Sequence, residues 1–367
     1  MKIGILTFHN AHNYGAVLQA YALRTKLRML GHETHILNYR NEKIEKAYEK
    51  KLVAKNVPVS LFHPKTIVRN FSNKLDAVYA QKDWKRRCCV FDDFINTVLL
   101  ENRKETLDAK QLELLEIDVF ICGSDQIWTD YLTGGYDKCY FLDFPSVAKK
   151  IAYGASRVNA EFDDAEERFF CEKLADFDAL SVREDTLAKA LTSICHKYVN
   201  TVLDPSLLIS AEEYQAIASK RIEDAEYILA YYLVEDEALR TCAERAAEQL
   251  HVNLVEIHYY KQRGRKCKQV ADCGPSDFMS YIQHAKYVFT NSFHGVAFSI
   301  IYQKNFYAVY IKDSRKDNLL RVLGLEERHI RTVDEMKIET LVEYEDPLKR
   351  LAIERKKSED FLKSSLM

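Results

Sequence analysis

No stretch of the chain has the roughly 18 consecutive apolar residues that a membrane-spanning helix needs. The opening MKIGILTFHN is apolar only from Ile3 to Leu6, and no cleavage pattern follows, so it does not read as a secretory leader. The location expected from these two absences is the cytoplasm. Regularly spaced cysteines are missing as well. The nine cysteines form no CxxC pair, and an odd number without regular spacing argues against a disulfide framework and against structural zinc. Cys122 and Cys195 read as small core residues rather than nucleophiles. Charge of one sign is not in excess: the net charge is −2 over 367 residues, and nothing global asks for nucleic acid. There is no GxGxxG, which leaves a nicotinamide-dependent dehydrogenase without support. Internal repeats and low-complexity segments are absent too. Trp is scarce, at 2, whereas Tyr reaches 22. A ring with a hydroxyl suits sugar binding, but the plainer reading of the count is that Tyr fills strands here.

What is present is an alternation of short apolar runs with helical patterns. Lys2 to Phe8 reads as a buried strand, residues 10 to 15 as a loop, and Val17 to Leu30 as a helix with apolar residues at 17, 20, 23, 27 and 30. Thr34 to Tyr39 is the next strand, which makes a strand–helix–strand unit and the start of a parallel sheet. Residues 40 to 90 break the rhythm. They look helical and carry 13 Lys and Arg against 5 Asp and Glu, an excess of eight positive charges. Strands follow at Asp118 to Cys122, Lys150 to Tyr153 and Ala179 to Val182, and Asp204-Pro205 reads as a hinge. A second alternation then begins, with strands at Tyr227 to Leu233, Asn253 to His258, Tyr287 to Thr290 and Phe306 to Ile311, the last of which closes the set. The fold class expected is α/β: two doubly wound Rossmann-like domains facing a cleft. Residues 1–203 form the first, with the basic helical insert at 40–90; residues 204–335 form the second, and 336–367 a charged helical tail.

In such sheets, ligands bind beyond the carboxyl ends of the strands. The residues there are His9, Asn10, Asn13, Tyr14 and Gly15; Gly123, Ser124, Asp125 and Gln126; Ser156; Arg183 and Glu184; Asn291, Ser292 and His294; and Lys312 and Arg315. They are polar, small or basic, which core packing does not require. Asn13 to Ala16 precede a helix, so their backbone N–H groups could meet an anion or simply start the helix. Arg183 and Arg315 offer planar forks for carboxylate or phosphate, with a surface ion pair as the alternative. His9 and His12 lie three apart, but no further ligands stand at fitting spacing, so no metal is expected. His294 starts an apolar helix. It is placed either to move a proton near neutral pH or to cap the helix or fill the core, and spacing by itself leans to the structural role.

Five segments in order carry a further signal: HNAHNYGAVLQAYAL (9–23), DVFICGSDQIW (118–128), LSVRED (180–185), VLDPSLL (202–208), and TNSFHGVAFSIIYQKNF (290–306) followed by DSRKDNLL (313–320). Together they resemble the polysaccharide pyruvyl transferase family over roughly residues 1 to 325. The resemblance implies a fold similar to the GT-B glycosyltransferases, and phosphoenolpyruvate as co-substrate without a further cofactor or metal. It also implies a glycan hydroxyl pair as acceptor, giving a cyclic pyruvate ketal on a cell-surface polysaccharide precursor. By position His294 matches the family's essential histidine, Arg183 its donor-binding arginine and Arg315 a basic residue after the last strand. Ser292, Gly295 and Lys312 fall on the donor side, and His9, Asn10, Asn13, Tyr14, Ser124 and Gln126 on the acceptor side. Asp125 or Glu184 would accept the hydroxyl proton. One departure is visible: the family often has Arg-Leu before this histidine, and here the pair is Ser292-Phe293. Lys312, Lys304 or a basic residue of 261–268 would have to supply the missing cation. The basic stretch reads either as a solvated helix pair or as a face for a lipid diphosphate-linked acceptor at the inner membrane surface. The rival readings are a nucleotide-sugar glycosyltransferase and a catalytically inactive glycan-binding member of the family.

Overall fold

The structure is a computed structural model that describes residues 1–49, 81–262, 264–311 and 313–367. Most of the basic 40–90 stretch, and Lys312, therefore lie outside the described residues. Two six-stranded parallel sheets organise the rest. The first contains β1 (Lys2–Leu6), β2 (Glu33–Ile36), β3 (Val119–Cys122), β4 (Lys149–Ala155), β5 (Ala179–Val182) and β6 (Asn200–Thr201), in the order β2-β1-β3-β4-β5-β6. The second contains β7 (Tyr227–Tyr231), β8 (Asn253–Ile257), β9 (Lys268–Val270), β10 (Tyr287–Thr290), β11 (Asn305–Val309) and β12 (His329–Ile330), in the order β12-β11-β10-β7-β8-β9. Read from the other edge this is 3-2-1-4-5-6, the Rossmann order, and the first sheet has the flavodoxin-like order with one strand added. The α/β, doubly wound architecture is as the alternation implied.

The central strands are short and buried end to end: VFIC in β3, YILAY in β7 and YVFT in β10. That is the expected composition for parallel strands covered on both faces. Two strands escape the sequence pattern. β9 has three residues and β12 two, too few for a period to show, so the second sheet does not close at Phe306 to Ile311 but continues to β12. The first helix starts at Tyr14 rather than Val17, because the Asn13 side chain accepts from the N–H of Gly15 (2.9 Å) and of Ala16 (3.3 Å) and caps it there.

The C-terminal helix, Glu345–Leu366, packs back on the first sheet. Phe361 meets Tyr153 of β4 with ring centroids 6.1 Å apart, and the Leu203 N–H donates to Ser358 Oγ at 2.9 Å. One apolar cluster runs through both sheets and includes Ile5, Tyr153, Tyr231, Phe278 and Val296. Tyr14 is the joint between them. Its ring stacks on Phe278 at 4.3 Å, and its hydroxyl donates to the Cys273 carbonyl oxygen (3.1 Å) and accepts from Arg87. None of the described helices is long and apolar enough to cross a membrane.

Candidate active site

The carboxyl ends of the two sheets meet, and His294 is where they touch. It is the second residue of helix Phe293–Ile301, which begins as the chain leaves β10 and is capped by Ser292, whose Oγ accepts from the Gly295 N–H at 3.4 Å. A Cβ on Gly295 would lie 2.3 Å from Thr290 Oγ1, so only glycine lets this turn fold so tightly against the strand. The imidazole then reaches the start of the helix Tyr14–Met29. A Cβ built on Gly15 would stand 1.9 Å from His294 Nδ1, so Gly15 is bare because the ring occupies that space. On its other nitrogen, Nε2 lies 3.6 Å from Asp204 Oδ2.

Asp204 is the centre of the cluster. Its carboxylate is fully buried; Oδ2 accepts from Arg183 Nη1, and Oδ1 accepts from the N–H (2.9 Å) and hydroxyl (2.7 Å) of Ser206. Burial pushes this carboxyl up, but the Arg183 guanidinium, His294 and the Ser206 hydroxyl overcome it and hold Asp204 well below the usual carboxylate range. Asp204 is thus a fixed negative charge between a guanidinium and an imidazole. Glu184 is its opposite. Burial raises its pKa and so favours the neutral acid, against the pull of Arg183, the Ser156 hydroxyl and Arg315. Arg315 approaches from the second sheet, in helix Ser314–Leu323, and is held in a two-pronged pair by Asp313, Nε to Oδ1 at 2.9 Å and Nη2 to Oδ2 at 3.1 Å. Burial would lower the Arg315 pKa, but Asp313 first and then Glu184 and Asp125 raise it, so it stays charged. Asp125 sits at φ 77°, a left-handed conformation that Asp tolerates better than most side chains, and its Oδ1 lies 3.5 Å from Arg183 Nη2.

Four buried polar atoms here have no hydrogen-bond partner in the protein: Arg183 Nε and Nη2, Glu184 Oε2 and His294 Nε2. Such atoms are uncommon in a folded interior, and their clustering marks a place where a polar ligand or ordered water completes the set. Beside them is a chamber of about 300 Å³ whose polar wall is Asn13, Asp125, Gln126, Ser292, His294 and Arg315. Arg183 stands behind that wall, on a larger groove, with its guanidinium 5.7 Å over the Phe293 ring. Phe293 and Arg315 line both spaces.

Some of the residues expected at the site are engaged elsewhere. His9 is buried, with its ring nitrogens 3.2 Å from the Thr7 carbonyl and 3.2 Å from Asn38 Oδ1. Tyr14 is the inter-sheet joint, and Ser124 is buried with its hydroxyl on the Gly154 carbonyl at 2.8 Å. Asn10 donates to Glu45 at 2.7 Å. The N–H groups of Gly15 and Ala16 are taken by Asn13, which removes them as anion ligands. Lys304 donates to the Gln283 carbonyl beyond the far end of the His294 helix, and Arg265 pairs with Glu256 and Glu244, so neither supplies the missing cation at the chamber. Lys312 is outside the described residues.

Comparison with known proteins decides the family. The model of the polysaccharide pyruvyl transferases matches residues 13–313. The chain belongs to the polysaccharide pyruvyl transferase family. Pyruvyl transfer to polysaccharide is the general activity this membership supports. The match takes in Asn13, Asp125, Arg183, Glu184, Asp204 and His294 and stops two residues short of Arg315. No curated protein matches the chain. Among solved structures, the chain is similar to the UDP-GlcNAc 2-epimerase of Methanocaldococcus jannaschii, at 12% identity and TM-score 0.49, over 96% of this chain and 92% of that one. It is also similar to a UDP-GlcNAc 2-epimerase from Neisseria meningitidis, at 10% identity and TM-score 0.48, over 100% and 94% of the two chains. A third is a UDP-N-acetylglucosamine 2-epimerase, described as putative, from Listeria monocytogenes, at 11% identity and TM-score 0.46, over 98% and 89%.

For this pyruvyl transferase family member, the residue that sequence reasoning passed over is Asp204. It was visible as the acid of VLDPSLL, but its Pro205 neighbour made it look like a hinge. Only its burial between Arg183 and His294 reveals what it does. Phe293 was likewise noted as the residue standing beside the histidine, not as a wall shared by two cavities.

Proposed function

We propose that the protein transfers a pyruvyl group from phosphoenolpyruvate to two hydroxyls of a glycan, closing a cyclic ketal and releasing phosphate. The observation that carries this is the set of four unpartnered buried atoms on Arg183, Glu184 and His294, gathered beside a small chamber with Arg315 on its wall. Phosphoenolpyruvate is about −3 near neutral pH, given a phosphate pKa near 6. Arg315 meets it on the chamber wall, and Arg183 adds positive potential from behind Phe293. Ser292 and Gly295 shape the histidine's turn against the donor, while Asn13 and Gln126 line the chamber in which the reacting hydroxyls would meet it.

Asp204 lies 3.6 Å from His294 Nε2 and orients the ring. His294 gives a proton to the methylene carbon of phosphoenolpyruvate, whose central carbon becomes electrophilic. A glycan hydroxyl adds there and loses its proton to Asp125, the carboxylate on the chamber wall. Glu184, on neither cavity wall, accepts from the Ser156 hydroxyl and positions it. The second hydroxyl then displaces phosphate, which leaves with the shared electron pair. Its proton and the one held by Asp125 pass to phosphate and back to His294. The scheme uses no metal or further cofactor. The setting we propose for it is the cytoplasmic side, on a polysaccharide precursor that a lipid diphosphate would hold at the membrane.

Calorimetry with phosphoenolpyruvate, together with phosphate release in the presence of a panel of glycosides, tests this. The wild type should bind phosphoenolpyruvate saturably. His294→Gln should still bind it while losing turnover by about 10²–10⁴-fold, the usual contribution of a general acid. Absence of saturable binding to the wild type defeats the donor assignment, and near-normal turnover in His294→Gln defeats the role of the imidazole.

A further inference from the structure

Behind the chamber, along edge strand β6, runs a groove of about 890 Å³, nearly three times the chamber's volume. Its walls are the helices Asp185–Cys195, Ser314–Leu323 and Glu345–Leu366. Arg183, Asp204, Phe293 and Arg315 are among its lining residues, and the last two also line the chamber, so the groove abuts the reacting centre across a shared wall. A donor the size of phosphoenolpyruvate does not need this space.

The chemistry of the lining points to a saccharide. Tyr198 is 79% exposed, an unusual position for so large a ring, and its flat face can cover the apolar face of a pyranose. Asn200 and Asn318 offer planar amides, which match pairs of sugar hydroxyls; the Asn318 oxygen accepts from Arg321 at 2.6 Å, which fixes its plane. The charged side chains here are largely paired within the protein, Arg321 with Asp185 at 3.1 Å and Lys357 with Glu354 at 2.6 Å, which suits a neutral ligand better than an anion.

We infer that this groove holds the acceptor: a saccharide lies along β6 with one ring on Tyr198 and its hydroxyls on Asn200 and Asn318. The hydroxyl pair to be bridged reaches the chamber past Phe293. The inference rests on the pyruvyl-transfer proposal for its purpose, but sugar binding is measurable without phosphoenolpyruvate.

The experiment is saturation-transfer NMR of the full chain with a panel of methyl hexopyranosides, run beside phosphoenolpyruvate calorimetry. At least one glycoside should bind the wild type. Tyr198→Ala should weaken it about tenfold, as expected for loss of one stacking face. Ser193→Trp, on the exposed side of a helix that walls the groove, should fill the space and abolish binding. Both variants should bind phosphoenolpyruvate as the wild type does, which also shows that they fold. If no glycoside binds, or binding survives both variants, or is lost instead on changing Gln126 in the chamber, the groove is not the acceptor site. If sugars bind as expected while phosphoenolpyruvate does not, the donor assignment fails and the groove stands.

Discussion

Replacing Gly15 with alanine tests the central contact of the site, because two physical effects oppose each other there. Gly15 is the second residue of the helix Tyr14–Met29, and alanine is the better helix former by at most about 1 kcal/mol. Propensity alone therefore predicts a more stable protein. The tertiary structure predicts the reverse. The new methyl would lie 1.9 Å from His294 Nδ1, 2.3 Å from Cε1 and 2.4 Å from Cγ, whereas ordinary contact needs about 3.5 Å. The ring would have to retreat by roughly 1.5 Å on that comparison. It has little room, with Asp204 3.6 Å from Nε2 and the Phe293 ring centroid 5.1 Å away. Overpacking of this kind costs about 1–3 kcal/mol, and a catalytic group misplaced by about 1 Å loses on the order of 10²-fold in rate. Gly15→Ala should therefore unfold at lower denaturant and turn over about a hundredfold more slowly. A double-mutant cycle isolates the cause. In a His294→Ala background the clash is gone, and Gly15→Ala should become neutral or slightly stabilising. A Gly15→Ala protein that is both more stable and fully active, or a penalty that persists without the imidazole, would refute the contact.

Two other expectations concern charge. Asp204→Asn leaves Arg183 and His294 without their shared carboxylate, and breaking a buried pair from one side costs about 3–5 kcal/mol. The folded pKa of Asp204 is depressed, so its contribution is present above the unfolded value of about 3.9 and is lost as pH falls below that through the folded value. Denaturant midpoints should thus show a deficit in the variant that is full at neutral pH and shrinks in acid; a deficit independent of pH rejects the linkage. For Glu184, burial already favours the protonated form, and a bound anion beside Arg315 favours it further. Binding of phosphoenolpyruvate should therefore take up protons and tighten as pH falls, by no more than about tenfold per pH unit for each proton. Calorimetry in buffers of different ionisation enthalpy should find less uptake in Glu184→Gln, and equal uptake in the two proteins would remove Glu184 from the account.

The alternation of apolar runs and helices was enough to foresee two doubly wound sheets, because buried parallel strands and the helices that cover them each leave a local pattern. β9 and β12 were not anticipated, since three or two residues held at a sheet edge owe their conformation to the neighbouring strand. The site divides along the same line. Which residues stand at strand ends follows from counting, and that singles out His294, Arg183, Glu184, Asp125 and Arg315 from the sequence alone. Their order and spacing also carry the family, as the match over 13–313 bears out.

What counting does not supply is contact between elements far apart in the chain. His9, Tyr14 and Ser124 look as polar as their neighbours, yet their partners — Asn38, Cys273 and Gly154 — lie 29, 259 and 30 residues away and turn them into structural groups. The surroundings of His294, with Asp204 at one nitrogen and a bare Gly15 at the other, are set by segments far away in the chain. The sequence by itself determined the two-sheet α/β architecture and its set of polar strand ends, because both are written in local pattern. Only the tertiary structure decided which of those ends share a cavity, since burial and charge at a point are set by everything packed around it.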